Sequence, residues 1–295
     1  MDAMHETQSD NLVVRDGFMI GPWRHPKNPA RSDAGAIHDD ATAMQLGFRG
    51  DPVTGISHME LFPPLLLSAF GPSWFERGTL SMYFVNATTD LEPVRACLEQ
   101  PPHDAANTQC NGWVEAEQGM RVIEGTASIG DSTTPTYLQQ RLAKPVLPGE
   151  LRMLKNVKPG HAFDAGEVSL DTGSQATQVD ALTEPLAWFV HDSPWGGPIA
   201  TLGGMNDLMY RQWLHALNPG AGEVAIYGAI ELRNINGPVF VGQAYRVQGK
   251  VITVGQSPKT EYLWFETALS DRHGRPVAGL LMQMRWLKAS SALWQ

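Results

Sequence analysis

The hydrophobic and polar positions of the chain predict the same series of elements twice. Apolar residues at helical spacing extend over residues 56–70 and again over 203–217, and Pro63 and Pro64 are placed to bend the first of these helices. Segments rich in β-branched and aromatic residues follow each helix and are typical of strands. These strands are predicted at 78–86, 93–98, 112–117 and 120–129, and then at 228–236, 244–254, 260–269 and 276–287.

Three further segments complete this prediction. Residues 39–47 indicate a short helix, because acidic side chains occupy its first turn and Gly47 suits its end. Residues 1–28 contain breakers such as Gly21-Pro22 and are predicted to be irregular. The stretch 145–180 is rich in Gly, Asp, Ser and Thr, and we expect it to hold a linker and the first strand of the second half.

The second half of the chain repeats the first. Residues 228–236 match 78–86 without a gap, so that Asn86 corresponds to Asn236 at an offset of 150 residues. A helix followed by several long strands is an α+β layout, and its repetition predicts an internal duplication. The predicted domains are 1–145, which includes the irregular head, and 146–295.

Composition narrows the classes of protein that fit this pattern. Hydrophobic residues make up 42% of the chain and charged residues 18%, which favours a large apolar core over disorder. The net charge of −9 argues against nucleic-acid binding, which needs a basic surface. Nine Trp and twelve Met residues indicate extensive buried apolar surface, in a ligand pocket or at the interface of a homodimer.

The cysteines and the terminal residues add further expectations. Cys97 and Cys110 lack the spacing of a zinc site and are too few for a disulfide framework. The first 16 residues have no apolar secretory core, and no run of about 20 apolar residues predicts a membrane span. We therefore expect a cytoplasmic protein that does not bind membranes.

One stretch near the N-terminus resembles a known family. Asp33 is followed five residues later by His38, after which come a Gly-Phe pair at Gly47-Phe48 and the turn Thr54-Gly55-Ile56. This arrangement resembles the MaoC-like (R)-specific enoyl-CoA hydratases and 3-hydroxyacyl dehydratases. Gly35-Ala36 stands where that family has Asn-Pro, and Thr54-Gly55-Ile56 stands where it has His-Gly-Met. The second half has the pattern of elements without an Asp-x4-His equivalent.

The resemblance implies a fold and an activity. The fold is a tandem, or double, hotdog, in which each of two long central helices is wrapped by antiparallel sheet. The activity is the hydration of a 2-enoyl thioester or the reverse dehydration, with a small-molecule acyl thioester as substrate and a bulky apolar acyl group. Neither a metal nor a nucleotide or flavin cofactor is expected, because no sequence fingerprint for one is present. Coenzyme A would enter as part of the substrate.

The resemblance also implies roles for five residues. Asp33 and His38 would activate one water as catalytic groups, since a carboxylate and an imidazole can share its protons. The Gly55 N–H, at the start of the helix, would bind the thioester oxygen. Close packing of helix on strand is the alternative role for Gly55. Ser57 and His58 lie in the first helical turn as substrate-binding candidates, and His58 is otherwise a polar residue at a subunit seam.

Several other residues leave alternatives open. The alternative role for His38 is to cap the short helix that follows it. Asp39 is an alternative to Asp33 as the catalytic carboxylate. His191-Asp192 precedes the second helix and forms either a second site or a turn. Weak candidates for binding the phosphates of coenzyme A are Arg49, Lys155, Lys158 and Arg233.

Two other functions fit the same sequence. An acyl-CoA thioesterase on the same fold would use a carboxylate to attack the thioester carbon or to activate water there. A non-catalytic protein that binds an acyl thioester or a lipid-like ligand would need no acid–base pair at all.

Overall fold

The computed structural model describes residues 12–28, 40–102, 106–144, 149–217 and 223–295. Within these ranges eleven strands form one antiparallel sheet, in the order β1-β2-β4-β5-β6-β3-β8-β11-β10-β9-β7. The strands are β1 (Val13–Arg15), β2 (Phe18–Ile20), β3 (Gly78–Phe84), β4 (Val94–Glu99), β5 (Thr108–Ala116), β6 (Arg121–Ile129), β7 (Ala162–Ser169), β8 (Ala225–Asn234), β9 (Ala244–Gln256), β10 (Thr260–Ser270) and β11 (Pro276–Leu287). The α-helices are α1 (Asp40–Gln45), α2 (Gly55–Met59), α3 (Pro63–Phe70), α4 (Trp74–Arg77), α5 (Tyr137–Leu142), α6 (Thr172–Asp180) and α7 (Leu202–Leu217).

Each half of the sheet covers a central helix. In the first half this helix consists of α2 and α3, which we call together the first central helix, and the break between them lies at the predicted prolines, which lack an N–H. The Phe62 N–H donates to the Met59 carbonyl at 3.0 Å, so helical turns continue across the break. In the second half α7 runs without interruption. None of the described helices is both long and apolar enough to cross a membrane.

The two halves meet where β3 pairs with β8. This antiparallel pairing places Ser81 opposite Glu231, two residues that are also 150 positions apart in the chain. The Ser81 hydroxyl donates to the Glu231 carboxylate at 2.7 Å, and the Thr136 hydroxyl donates to it at 2.5 Å. Equivalent residues that face each other lie on a pseudo-twofold axis, so this pair marks the axis that relates the two halves.

The same hydrogen bond precedes both central helices. The Val53 N–H donates to the Thr88 carbonyl at 3.0 Å, and the Ala200 N–H donates to the Val239 carbonyl at 2.8 Å. Each of these bonds joins the segment entering a central helix to the loop after the central strand of its half. The predicted domain boundary between residues 145 and 146 lies outside the described residues and stays a prediction.

The connection between the halves crosses the outer face of the sheet. Side chains alternate along β3, so Leu80 and Met82 face the central helices while Ser81 faces outward. Helix α5 packs on this outer face through Leu138, whose N–H donates to the Ser81 hydroxyl at 3.1 Å. Farther along, the fully buried Glu261 carboxylate accepts from three successive amides, at residues 152–154. These bonds hold the connecting segment against β10 before it enters β7, the last strand at that edge of the sheet.

The hairpin of β1 and β2 and the helices α4, α5 and α6 are absent from the sequence prediction. The prediction that residues 1–28 are irregular is wrong for β1 and β2, which form a hairpin that extends the sheet beyond β4. Strands of three residues are too short to show an alternating pattern, so the neighbouring sheet edge decides their conformation. Helix α6 lies within the stretch 145–180, which the sequence predicts to hold a linker and a strand. The Asp171 side chain caps the start of this helix by accepting from the Ser174 N–H.

Replacing Glu231 tests the importance of the contact on the pseudo-twofold axis. The Glu231→Ala variant leaves the Ser81 and Thr136 hydroxyls without their buried acceptor, and we expect the free energy of unfolding to fall by about 2 kcal/mol. Denaturant unfolding measures this loss. The control Glu266→Ala removes a solvent-exposed ion pair with Lys250, which should contribute under about 1 kcal/mol. Equal losses in the two variants would contradict the assignment.

Candidate functional site

The residues that flank the predicted Asp-x4-His motif lie beside the start of the first central helix. Asp33 and His38 themselves lie outside the described residues. On the N-terminal side, the Asn28 N–H donates to the Asp90 carboxylate at 2.8 Å and its side chain donates to Asp51 at 3.4 Å. On the C-terminal side, α1 leads directly into the segment that enters α2. The described residues on the two sides of the motif therefore connect to the segment that precedes Gly55, Asn28 through its bond to Asp51 and α1 through the chain.

The first turn of α2 is organised by small residues. Thr54 precedes the helix, and its hydroxyl is hydrogen-bonded to the Ser57 hydroxyl at 2.8 Å. A Cβ atom at Gly55 would lie 2.7 Å from the Phe84 ring, at the end of β3. The close packing weighed as an alternative for Gly55 is therefore present. Its predicted role as an oxygen-binding amide stays a prediction, as do the substrate contacts of Ser57 and His58.

His58 points into the protein interior and not toward solvent. It is 2% exposed, and its Nε2 atom is hydrogen-bonded to the Thr88 hydroxyl at 3.0 Å. Among the described residues its Nδ1 atom has no partner. Burial lowers the pKa of His58 to about 4, although the nearby Glu92 carboxylate favours the charged form. The imidazole is therefore neutral at pH 7 and links α2 to the loop after β3.

The start of α7 is closed by a carboxylate from the first half. Glu60, the residue after α2, accepts from the Gly203 N–H at 2.5 Å, and the nearby Leu202 N–H and Thr201 hydroxyl favour its charged form. The side chain is 7% exposed, and in the described part of the chain its Oε2 atom has no partner. Burial raises the pKa of Glu60 to about 7, against the opposing effect of these three donors.

A second carboxyl group lies one turn farther along α7. Asp207 accepts from the Gln178 side chain at 2.8 Å and forms an ion pair with Arg211 at 3.1 Å. Burial raises the pKa of Asp207, and Arg211 opposes that effect. Gln178 belongs to α6 and also lies against Gly203, where a Cβ atom would come within 2.1 Å of its Oε1 atom. The start of α7 is thus fully occupied by side chains of the chain itself.

Half-buried aromatic rings lie at the same end of the central strand pair as Gly55. The register of β3 with β8 places Tyr83 opposite Ala229, so Phe84 and Tyr227 both lie just beyond this pair. The Tyr227 ring packs edge-on against Tyr210 of α7 at 5.5 Å. The region between the central helices near Gly55 is therefore bordered by aromatic surface.

The remaining candidates lie elsewhere. Arg49 donates two hydrogen bonds to Glu92, at 3.0 and 3.1 Å, and so is already paired. His191 and Asp192 are exposed, and the next residue, Ser193, closes a turn with its N–H on the Gly197 carbonyl at 3.1 Å. The other phosphate candidates, all exposed, are Lys155, Lys158 and Arg233. Within the described ranges no three His, Cys, Asp or Glu side chains converge to hold a metal ion.

The sequence prediction missed the acidic residues of the central helices. Glu60 is the single acidic residue in the stretch 55–70 and lies between Met59 and Leu61, and that isolation is a usable signal. Asp207 carries a similar signal beside Leu208. The Gly203 amide that binds Glu60 and the Gln178 side chain that binds Asp207 come from distant segments, so these hydrogen bonds could not be predicted.

Comparison with known proteins rests on structure, since no protein-family model and no curated protein matches this chain. A protein described as a MaoC domain dehydratase from Chloroflexus aurantiacus J-10-fl aligns over 96% of this chain and 99% of its own, with a TM-score of 0.62 and 12% identity. A conserved hypothetical protein from Mycobacterium tuberculosis, described as a double hotdog fold, aligns over 90% of this chain and 94% of its own, with a TM-score of 0.58 and 10% identity.

The chain has the double hotdog fold. The dehydratase domain from the CurJ module of the curacin polyketide synthase is also similar. It aligns over 94% of this chain and 96% of its own, with a TM-score of 0.50 and 11% sequence identity. At these identities the similarity shows the fold, and the predicted tandem hotdog architecture is confirmed. In this double hotdog the two halves of the sheet and the two central helices are the two repeats.

Substitution at Gly55 tests the packing of the first repeat. The Gly55→Ala variant places a methyl group 2.7 Å from the Phe84 ring, and we expect a loss of about 1 kcal/mol of unfolding free energy from overpacking. In a Phe84→Ala background the same substitution should cost nothing, because the obstructing ring is absent. A double-mutant cycle from denaturant unfolding measures the coupling. The same cost in both backgrounds would show that Phe84 is not the constraint.

Replacing Glu60 tests its raised pKa. A carboxyl group whose pKa rises from 4.5 to about 7 on folding stabilises the fold fully below pH 4.5 and loses that contribution as the pH rises through 7. Relative to Glu60→Gln, we expect the wild type to lose about 3 kcal/mol of unfolding free energy between pH 4 and pH 8. Urea unfolding at a series of pH values measures this difference.

Glu92→Gln is a control of opposite sign for the Glu60 experiment. Burial acts to raise the pKa of Glu92, but hydrogen bonds from Thr89 and Arg49 outweigh it and lower the pKa. The stability that Glu92 contributes is therefore present above the ordinary carboxyl range and is lost as the pH falls. The difference in unfolding free energy between the wild type and Glu60→Gln should change with pH. A difference that stays constant would refute the raised pKa of the buried Glu60 carboxyl group.

Proposed function

We propose that the chain hydrates a 2-enoyl thioester to a 3-hydroxyacyl thioester, or catalyses the reverse dehydration, at the start of the first central helix. The observation that carries this proposal is the difference between the two helix starts. The start of α7 is filled by Glu60, whereas α2 follows in the chain shortly after the segment that contains Asp33 and His38, and Asn28, which precedes that segment, is hydrogen-bonded to Asp51. Two structures of similar fold are described as dehydratases, which supports the same class of reaction.

In the proposed hydration, Asp33 and His38 hold one water between them. The water oxygen forms a bond to the β-carbon while one of its protons passes to this pair, and the α-carbon then receives a proton as the enolate collapses. Dehydration follows the same steps in reverse, with the pair returning a proton to the departing hydroxyl. The five-residue spacing suits this role, because a carboxylate and an imidazole can approach one water from two sides.

The thioester oxygen is assigned to the Gly55 amide. The first N–H groups of a helix have no preceding turn to donate to, so they are available to an oxygen that gains negative charge. Thr54 supports this use, since its hydroxyl bonds to Ser57 and does not cap the helix amides. Neutral His58 is hydrogen-bonded to the Thr88 hydroxyl and links this helix turn to the loop after β3.

The acyl chain is assigned to the aromatic region near Gly55. Phe84 contacts the Gly55 position directly, and the half-buried rings of Tyr210 and Tyr227 lie at the same end of the seam between the repeats. Aromatic side chains offer large apolar surface to a ligand. This arrangement supports a bulky apolar acyl group as the substrate class.

Removing the acid–base pair tests the proposed reaction. We expect the double variant Asp33→Asn/His38→Gln to lose at least about 100-fold of the hydratase activity, because neither side chain can then take the water proton. The loss of enoyl-thioester absorbance measures the rate on substrates of several chain lengths. The matched control Asp16→Asn/His161→Gln changes the same residue types at exposed positions and should keep the wild-type rate.

The same assay separates the alternative functions. Release of free thiol without loss of the enoyl absorbance would identify a thioesterase on this fold. Tight binding of the thioester with no turnover at any chain length would identify a binding protein. Full hydratase activity in the double variant would show that the reaction does not depend on Asp33 and His38.

A further inference from the structure

One buried polar side chain on α7 has an oxygen without a hydrogen-bond partner. Asn206 is 1% exposed, and among the described residues no group donates to its Oδ1 atom. The neighbouring Asp207 differs, because its carboxylate is bound by Gln178 and Arg211. A buried amide oxygen without a donor destabilises the fold, so an apolar residue would suit this position better unless a donor reaches it from outside the chain.

Asn206 lies beside the region to which the acyl chain is assigned. It precedes Tyr210 by one helical turn, so the two side chains lie on the same side of α7. The Tyr210 ring packs against the Tyr227 ring at 5.5 Å. Tyr227 in turn lies at the same end of the central strand pair as Phe84, whose ring meets the Gly55 position. Asn206 therefore approaches the proposed acyl site from the side of α7.

The two tyrosines add hydrogen-bond donors in the same place. Burial raises the pKa of Tyr227 well above its ordinary value, and the nearby Tyr210 and Asp207 raise it further, whereas the Asn206 side chain favours the charged form. Burial also raises the pKa of Tyr210, so both phenols keep their protons at neutral pH. The Asn206 amide can favour a charged phenol only through its Nδ2 donor, which leaves Oδ1 as the unused acceptor.

We propose that Asn206 Oδ1 accepts a hydrogen bond from a hydroxyl group on the acyl chain of the substrate. A hydroxyl fits the whole arrangement, because it donates to the amide oxygen and accepts from a phenol. A carbonyl substituent has no proton to donate, and an ammonium group would be costly to bury among aromatic rings.

The inference rests on the proposed function and narrows its substrate class. The hydroxyl formed in the proposed reaction is assigned to Asp33 and His38, so the group at Asn206 is a second one, carried farther along the chain. The acyl group is then apolar apart from this one hydroxyl.

Replacing Asn206 by leucine distinguishes a ligand contact from a structural one. Leucine has a similar shape and no polar atom, so Asn206→Leu should keep or raise the thermal midpoint of the ligand-free protein. The control Asn234→Leu removes a buried amide that donates to the Trp74 carbonyl at 3.2 Å, and its midpoint should fall by about 2 °C or more. A fall in Asn206→Leu as large as that of the control would show that Asn206 serves the fold and would overturn the proposal.

Calorimetric titration tests recognition of the hydroxyl, first in the unmodified chain. The probes are dodecanoyl-coenzyme A and its isomers with a single hydroxyl at each carbon beyond the fourth. None of these probes has a double bond or a 3-hydroxyl group, so none can react. We expect at least one hydroxylated isomer to bind about 10-fold more tightly than dodecanoyl-coenzyme A, and Asn206→Leu to lose that preference.

The outcomes separate this inference from the proposed function. Equal affinities for all probes in the unmodified chain, or a preference that survives in Asn206→Leu, would overturn the role of Asn206 and leave the proposed function standing. No binding of any probe would refute the proposed function and this inference with it.

Discussion

The pairing of β3 with β8 joins the two repeats into one continuous sheet. Each repeat alone would leave its central strand as an open edge with unpaired amides and carbonyls, and the antiparallel pairing removes both edges at once. Because the axis passes through Ser81 and Glu231, the two central helices are brought side by side on one face of a continuous sheet. Contacts between repeats, including Glu60 with α7, follow from that placement.

The two repeats have equivalent central helices, α2 with α3 and α7. The side chains around the starts of α2 and α7 differ. At α7 a carboxylate is supplied from within, and α6 adds Gln178 beside it. At α2 the Thr54 and Ser57 hydroxyls bond to each other and leave the first helix amides uncapped by a side chain, and burial keeps the imidazole of His58 neutral. The two repeats therefore share a fold but differ in the polar groups at their helix starts.

The pattern of hydrophobic residues predicted much of the fold because it is a local property. The two central helices, the break at Pro63-Pro64 and eight long strands all have a period that can be seen in the sequence. The hairpin of β1 and β2 has no such period, since each strand has three residues and forms against an existing edge. Helix α6 depends on a cap at Asp171 and on Gln175, whose side chain donates to the Phe189 and Ile199 carbonyls.

Sequence patterns alone predicted the two central helices, the eight long strands and their repetition, because spacing and periodicity do not depend on distant partners. Which charged and polar groups meet depends on how the distant segments pack. Glu60 and Gly203 are 143 residues apart, and no local pattern shows that one closes the helix start formed by the other. Hydrogen bonding and burial act through space, so the difference between the two repeats became visible only once the chain was folded.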